Sequence, residues 1–170
     1  MIRVGLLLVL AGLMMACGRD FRTVKKVDLQ SFMGDWYVIA ILPNIIEKNA
    51  YNGIESYQLN PDGTIGVTYT FFKGGPQGKK KVMHPLGKVF DRQSNAHWKM
   101  RLIKPFWSDY LIVDLAPDYR YTVIGVPNRK FVWIMSRTPE LTDEDYSAII
   151  KRLAAMGYKT DKIRKMPQIW

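Results

Sequence analysis

An all-β fold is predicted for this 170-residue chain: an eight-stranded antiparallel up-and-down β-barrel with one C-terminal α-helix packed outside. Three observations carry the prediction. Short runs rich in Val, Ile, Tyr, Phe and Trp recur from Asp35 onward, separated by turn clusters. The connections between them are too short for parallel crossovers, so neighbours run antiparallel in sequence order. One stretch with helical periodicity follows the last run, and it needs a sheet face to cover.

The strands are expected at 35–42, 52–59, 64–72, 81–90, 97–103, 110–115, 119–126 and 130–137. Between the second and third, Asn60-Pro61-Asp62-Gly63 has proline and aspartate where a type I turn favours them. The helix starts after Thr142, a good N-cap, with Asp143, Glu144 and Asp145 in the first turn, where the helix dipole favours anions. Tyr146, Ile149, Ile150, Leu153 and Ala154 form its apolar stripe, and Gly157 is placed to stop it. Eight antiparallel strands that close on themselves have no exposed edge and can enclose one small ligand.

The first 17 residues, MIRVGLLLVLAGLMMAC, stand apart from this pattern. Arg3 precedes an uncharged apolar run over 4–15, which is shorter than the about 20 residues of a membrane span and suits a signal peptide. The run ends in Leu13-Met14-Met15-Ala16-Cys17, which resembles the lipobox of bacterial lipoproteins, with Met14 in the place usually held by leucine. Cys17 is the only cysteine, so a disulfide framework is excluded and acylation of its thiol is the expected use. The division that follows is a signal peptide over 1–16, a lipidated tether over 17–27 and a barrel domain over 28–170. If extended, the polar, basic stretch 18–27 reaches roughly 33 Å.

The net charge is +10, and loss of 1–16, which carries Arg3 and no acid, lowers it by one. Such a balance suits an anionic partner: nucleic acid, a phospholipid surface or an acidic ligand. Export disfavours nucleic acid, and so does the inward placement of the aromatics, since nucleic-acid surfaces interleave them with cations.

Three motifs in order carry a family resemblance. Gly34-Asp35-Trp36 opens the first strand, DLAPDYRYTVIG occupies 114–125, and VWIMSRTPELTDE occupies 132–144. By these motifs the chain resembles the bacterial lipocalins of the outer-membrane lipoprotein type and is similar also to apolipoprotein D and plant lipocalins. The resemblance spans nearly the whole mature domain. It implies a lipid-binding barrel at the outer membrane, facing the periplasm, with an association with membrane stress and repair.

Strand order alone brings Trp36, at the start of the first strand, to the same end as Arg137, at the finish of the eighth. An indole face can there receive a guanidinium, with Gly34 leaving room for the incoming chain. If Gly34, Trp36 and Arg137 mark a closed floor, the alternate loops crowd the open end. Lys48, Lys73, Lys79, Lys80, Lys104 and Arg129 then ring the mouth, with Phe106 and Trp107 at a loop tip and Ile45 and Ile46 on the first loop. A basic rim with exposed apolar groups suits an anionic bilayer or the anionic head of a ligand.

Alternation, with charged residues marking the outer face, points Trp98, Met100 and Leu102 inward, and likewise Tyr119, Tyr121 and Val123. Trp133 and Met135 share a face with Phe131 and Arg137, whereas Val132 and Ile134 lie under the helix. Ile65, Val67, Tyr69 and Phe71 come from the third strand, and the lipocalin resemblance turns Tyr57 inward. Glu55 shares the face of Tyr57, so it is either a lumen acid or a rim group. The expected lumen is apolar and aromatic, either open as a cavity or filled as a solid core.

No catalytic residue is identified: no Gly-x-Ser-x-Gly occurs, and His84 and His97 lack metal-ligand spacing. No cofactor or metal is expected. The reading is a noncatalytic carrier or store of fatty acids or lysophospholipids, lipid-anchored at Cys17. The alternative is an anchored module with a filled barrel whose basic rim docks a protein or lipopolysaccharide. The oligomeric state, a homodimer included, stays open.

Overall fold

The computed structural model describes residues 22–170; the signal-peptide segment and Cys17 lie outside the described residues. After a one-turn helix α1 (Leu29–Phe32) come strands β1 (Gly34–Ile41), β2 (Ala50–Leu59), β3 (Thr64–Lys73), β4 (Lys79–Met83), β5 (Leu86–Val89), β6 (His97–Arg101), β7 (Ser108–Leu115), β8 (Tyr121–Gly125) and β9 (Val132–Ser136). Helix α2 (Asp143–Ala155) and the two-residue strand β10 (Arg164–Lys165) complete the order. Every strand pairs antiparallel with its neighbours, and β9 bonds back to β1, closing the barrel.

Strands β4 and β5 together form one stave of eight. The sequence reading joined them as 81–90, but Pro85 lacks an N–H and interrupts the ladder after His84. The carbonyl of Pro85 still accepts from the Val67 amide at 3.1 Å, which keeps the stave against β3. Below the break, β5 pairs with both β3 and β6; above it, β4 pairs with β3. The wall is therefore hydrogen-bonded on both sides in its lower half only. Strand β8 starts at Tyr121 instead of 119, because Tyr119 takes a left-handed φ of 59° in the preceding turn.

Two apolar clusters result. One fills the barrel interior, with Phe32, Trp36, Tyr57, Phe71, Trp98, Tyr110 and Met135 among its members. The other lies between the barrel wall and α2, where Ile149 and Leu153 meet Val113, Tyr121, Val123, Val132 and Ile134. The Thr142 hydroxyl accepts from the Asp145 amide, and Gly157 at φ 88° ends the helix. Ala154, expected on the apolar stripe, is exposed.

The stretch expected as a tether over 17–27 is not free in its second half. Val24 N–H donates to the Ile112 carbonyl at 2.9 Å, Val27 N–H donates to the Ser94 carbonyl at 2.8 Å, and the Val27 side chain is buried. Of two apolar residues in a basic stretch, Val27 is buried and Val24 packs half-buried against the barrel, which composition alone does not show.

Candidate functional site

The floor is built first. Asp28 caps α1 by accepting from the Ser31 amide at 2.7 Å, and the short helix drives Phe32 into the barrel base. Phe32 lies 5.1 Å from Trp36, 5.5 Å from Tyr57 and 5.2 Å from Trp98, centroid to centroid. The Trp36 indole donates to the Phe32 carbonyl at 2.8 Å, and the Arg137 guanidinium covers the Trp36 ring from outside. Gly34 has φ 92°, a conformation costly for any other residue type, as the chain turns from the plug into β1. Phe32 was missed from the sequence because four residues are too few to show helical periodicity.

Above this floor is a cavity of about 670 Å³, the size of a small-molecule site. Its wall is mostly apolar, from Val67, Met83, Met100, Leu102, Phe131 and Trp133, together with Tyr69 and Tyr110. Three carboxylates interrupt it, Asp109 at its border and two that are buried. Glu55 is 8% exposed and follows Trp36 and precedes Tyr69 in the cross-strand row of β1, β2 and β3, so it points inward. Glu47, 4% exposed, descends from the loop between β1 and β2. Among the described residues, no lysine, arginine or histidine lines this cavity.

Glu47 is held firmly. Its backbone N–H donates to Asn44 Oδ1 at 2.9 Å, and its Oε1 accepts from the Tyr69 hydroxyl at 2.7 Å and from Trp133 Nε1 at 2.9 Å. Asn44 Nδ2 donates to its Oε2. Glu55 Oε2 accepts from the Tyr57 hydroxyl, which also bonds the Tyr110 hydroxyl. Among the described residues, the other Glu55 oxygen has no hydrogen-bond partner. Burial pushes the Glu55 carboxyl up to about 7, and the neighbouring Glu47 charge acts in the same sense against the Tyr57 hydrogen bond. The Tyr57 and Tyr110 hydroxyls are pushed well above the usual phenol range, by burial first and then by the Glu55 charge. Glu47 escaped the sequence reading; its only signal is a lone acid directly after Ile45 and Ile46.

The other expected lumen residues divide three ways. Tyr69, Met100, Leu102 and Trp133 line the cavity. Tyr57, Phe71, Trp98 and Met135 are buried inside the barrel but belong to its packed part. Tyr121 is a correction: with Val123 it faces α2, and its hydroxyl accepts from Arg152 Nη2 at 3.0 Å. The charged-residue marker fails there because α2 covers the outer face of β8, making both faces apolar, and because the turn at Tyr119 resets the alternation before β8 begins.

Around the mouth, Lys48, Lys73, Lys79, Lys80 and Lys104 are exposed, as are Ile45 at 91% and Phe106 at 73%. Two expected rim groups are differently engaged. Arg129 Nε donates to the Met156 carbonyl at 2.6 Å, tying that loop to the C-terminus of α2, where a cation is favoured. Trp107 folds along the outer wall, its ring 4.4 Å from Lys88 Nζ and 4.8 Å from the Arg101 guanidinium carbon. The histidines also face outward: His97 Nε2 is 2.6 Å from Asp109 Oδ1, and His84 Nδ1 is 3.3 Å from Thr68 Oγ1.

Comparison with known proteins agrees with this architecture. Residues 27–168 match the lipocalin-like domain family. Temperature-induced lipocalin-1 of Arabidopsis thaliana is 31% identical over 158 residues, covering 88% of this chain and 84% of the plant protein. Outer membrane lipoprotein Blc of Citrobacter freundii is 27% identical over 160 residues, covering 90% and 89%. Among solved structures, insecticyanin of the tobacco hornworm Manduca sexta superposes with a TM-score of 0.69 at 20% identity, over 88% of this chain and 85% of that one.

Proposed function

The chain belongs to the lipocalin family, and from that premise we propose that it is a lipid-anchored carrier or store of single-chain lipids, fatty acids and lysophospholipids among them. A lipocalin is a ligand-binding protein, and this one is not an enzyme. The observation that carries the lipid reading is the cavity above the Trp36 floor, whose wall is apolar over most of its area. Burying apolar chain there yields about 25 cal/mol per Å², so the tail supplies most of the affinity.

Cys17 is the proposed anchor, by its lipobox-like setting and by the outer-membrane lipoproteins among the relatives. The location that follows is the periplasmic face of a bacterial outer membrane. The exposed Ile45, Phe106 and neighbouring lysines rest on the bilayer and bring the mouth to its surface, where lipid passes between membrane and pocket; a role in envelope maintenance under stress accords with that exchange. Native mass spectrometry of gently extracted protein tests the carrier reading. The expected spectrum contains adducts of single-chain lipid mass that disappear on delipidation and return on titration. Bare protein that takes up no such lipid would favour a filled barrel that docks protein or lipopolysaccharide.

A further inference from the structure

We propose that, among the single-chain lipids the cavity takes, it ranks head groups, holding anionic heads such as that of a fatty acid more weakly than neutral ones and favouring amphiphiles that carry a protonated amine at their buried end, with Glu55 as the group that receives the amine. The inference rests on the lumen being the lipid site and names the class of ligand it takes.

The geometry carries it. Glu55 is more than nine-tenths buried and lines the cavity, yet only one of its carboxylate oxygens has a protein partner. The groups that face it are Tyr57 on its own strand, Tyr69 on β3, Tyr110 on β7 and Glu47 on the loop above. None of these is a cation, and no cation lines the cavity among the described residues. A buried carboxylate without a counter-ion is costly, and breaking such a site's charge balance further with a ligand carboxylate costs more. An ammonium does the opposite: it brings three donors to a site with a free acceptor oxygen and a second carboxylate nearby.

Glu47 contributes differently. Three donors, from Asn44, Tyr69 and Trp133, already hold its carboxylate, so it sets the local potential rather than binding the amine directly. Asp109 also borders the cavity, but Lys99 and His97 engage its carboxylate, and the Lys99 hydrogen bond chiefly holds it below the usual carboxylate range. The selector is therefore the Glu55 oxygen, with the Glu47 charge behind it. The exposed lysines stand outside the mouth and do not neutralise either group.

The raised Glu55 carboxyl adds a pH dependence. Below about 7 it holds its proton, and above about 7 it is ionised. The affinity for an amine should thus rise between about pH 6 and about pH 8, where the amine itself stays charged. A neutral head should show no such rise.

Titration of the delipidated protein with dodecylamine, dodecanol and dodecanoate compares three heads on one tail. At about pH 8 the amine is expected to bind about tenfold or more tighter than the alcohol, and the acid weaker than the alcohol; tenfold corresponds to about 1.4 kcal/mol. Glu55→Gln should cost the amine about tenfold more than it costs the alcohol, bringing the two to one level, while removing the pH dependence of the amine. An amine no tighter than the alcohol in the wild type overturns the inference and leaves the carrier reading standing, whatever the variant does. An equal loss for amine and alcohol in Glu55→Gln overturns it too. Binding of none of the three overturns both.

Discussion

The Arg137 guanidinium carbon lies 3.7 Å from the centroid of the Trp36 ring, joining the end of the last large strand to the start of the first. The same guanidinium donates to the carbonyls of Asp35 at 2.8 Å, Ser31 at 2.7 Å and Met33 at 2.9 Å. It thus satisfies the chain that enters the barrel while it caps the indole. Trp36→Ala should cost about 3 to 5 kcal/mol, as large-to-small core changes do. Arg137→Ala removes a donor from these three carbonyls and from that of Phe32, bonded at 3.1 Å, and should cost about 1 to 3 kcal/mol. In a denaturant double-mutant cycle, a coupling of at least about 0.5 kcal/mol is expected; strict additivity would mean that the ring and the cation act independently.

Glu55 should make the fold less stable at high pH. Its folded-state carboxyl is raised from an ordinary 4.5 to about 7, so the folded protein holds a proton that the unfolded chain has lost in that window. Stability therefore falls as pH rises from about 4.5 to about 7 and is level above that. The loss is on the order of 3 kcal/mol. Urea denaturation at the two ends of the window should show it in the wild type and a much smaller change in Glu55→Gln. Equal pH profiles for the two proteins would contradict the assignment.

The rim should carry membrane affinity. Lys79 and Lys80 begin β4 and stand exposed beside Lys73, and Lys81 follows them, partly buried. Each basic group near an anionic surface contributes about 1 kcal/mol, screened by salt. Replacing Lys79, Lys80 and Lys81 by glutamine should weaken sedimentation with anionic vesicles by about tenfold or more and flatten its salt dependence. Binding to neutral vesicles should not change. Wild-type binding by the variant would remove the rim from the membrane contact.

Cys17→Ala tests the anchor directly. Without the thiol no acyl chain can be attached, and each buried methylene of such a chain contributes about 0.8 kcal/mol to membrane residence. The variant is expected in the soluble fraction after membranes are washed. Retention at wild-type levels would show that another element holds the protein there.

What the chain by itself determined is the set of features written in local pattern. The alternating runs, the Asn60-Pro61-Asp62-Gly63 turn, and the Thr142 cap with its acidic first turn specify the antiparallel strands and the helix, because period, turn chemistry and capping act over a few residues. Strand order was enough to set Trp36 against Arg137, since an up-and-down closure brings those two strand ends together. Tertiary structure decided which face of β8 is inside. At β8 both faces are apolar once α2 covers the wall, so Tyr121 went to the helix side, and only the packed fold separates the two. It also decided that Val24, Val27 and Phe32 close the base, and that Glu47 and Glu55 meet across the cavity from a loop and a strand. Those placements depend on burial among distant segments, which no window of neighbouring residues records.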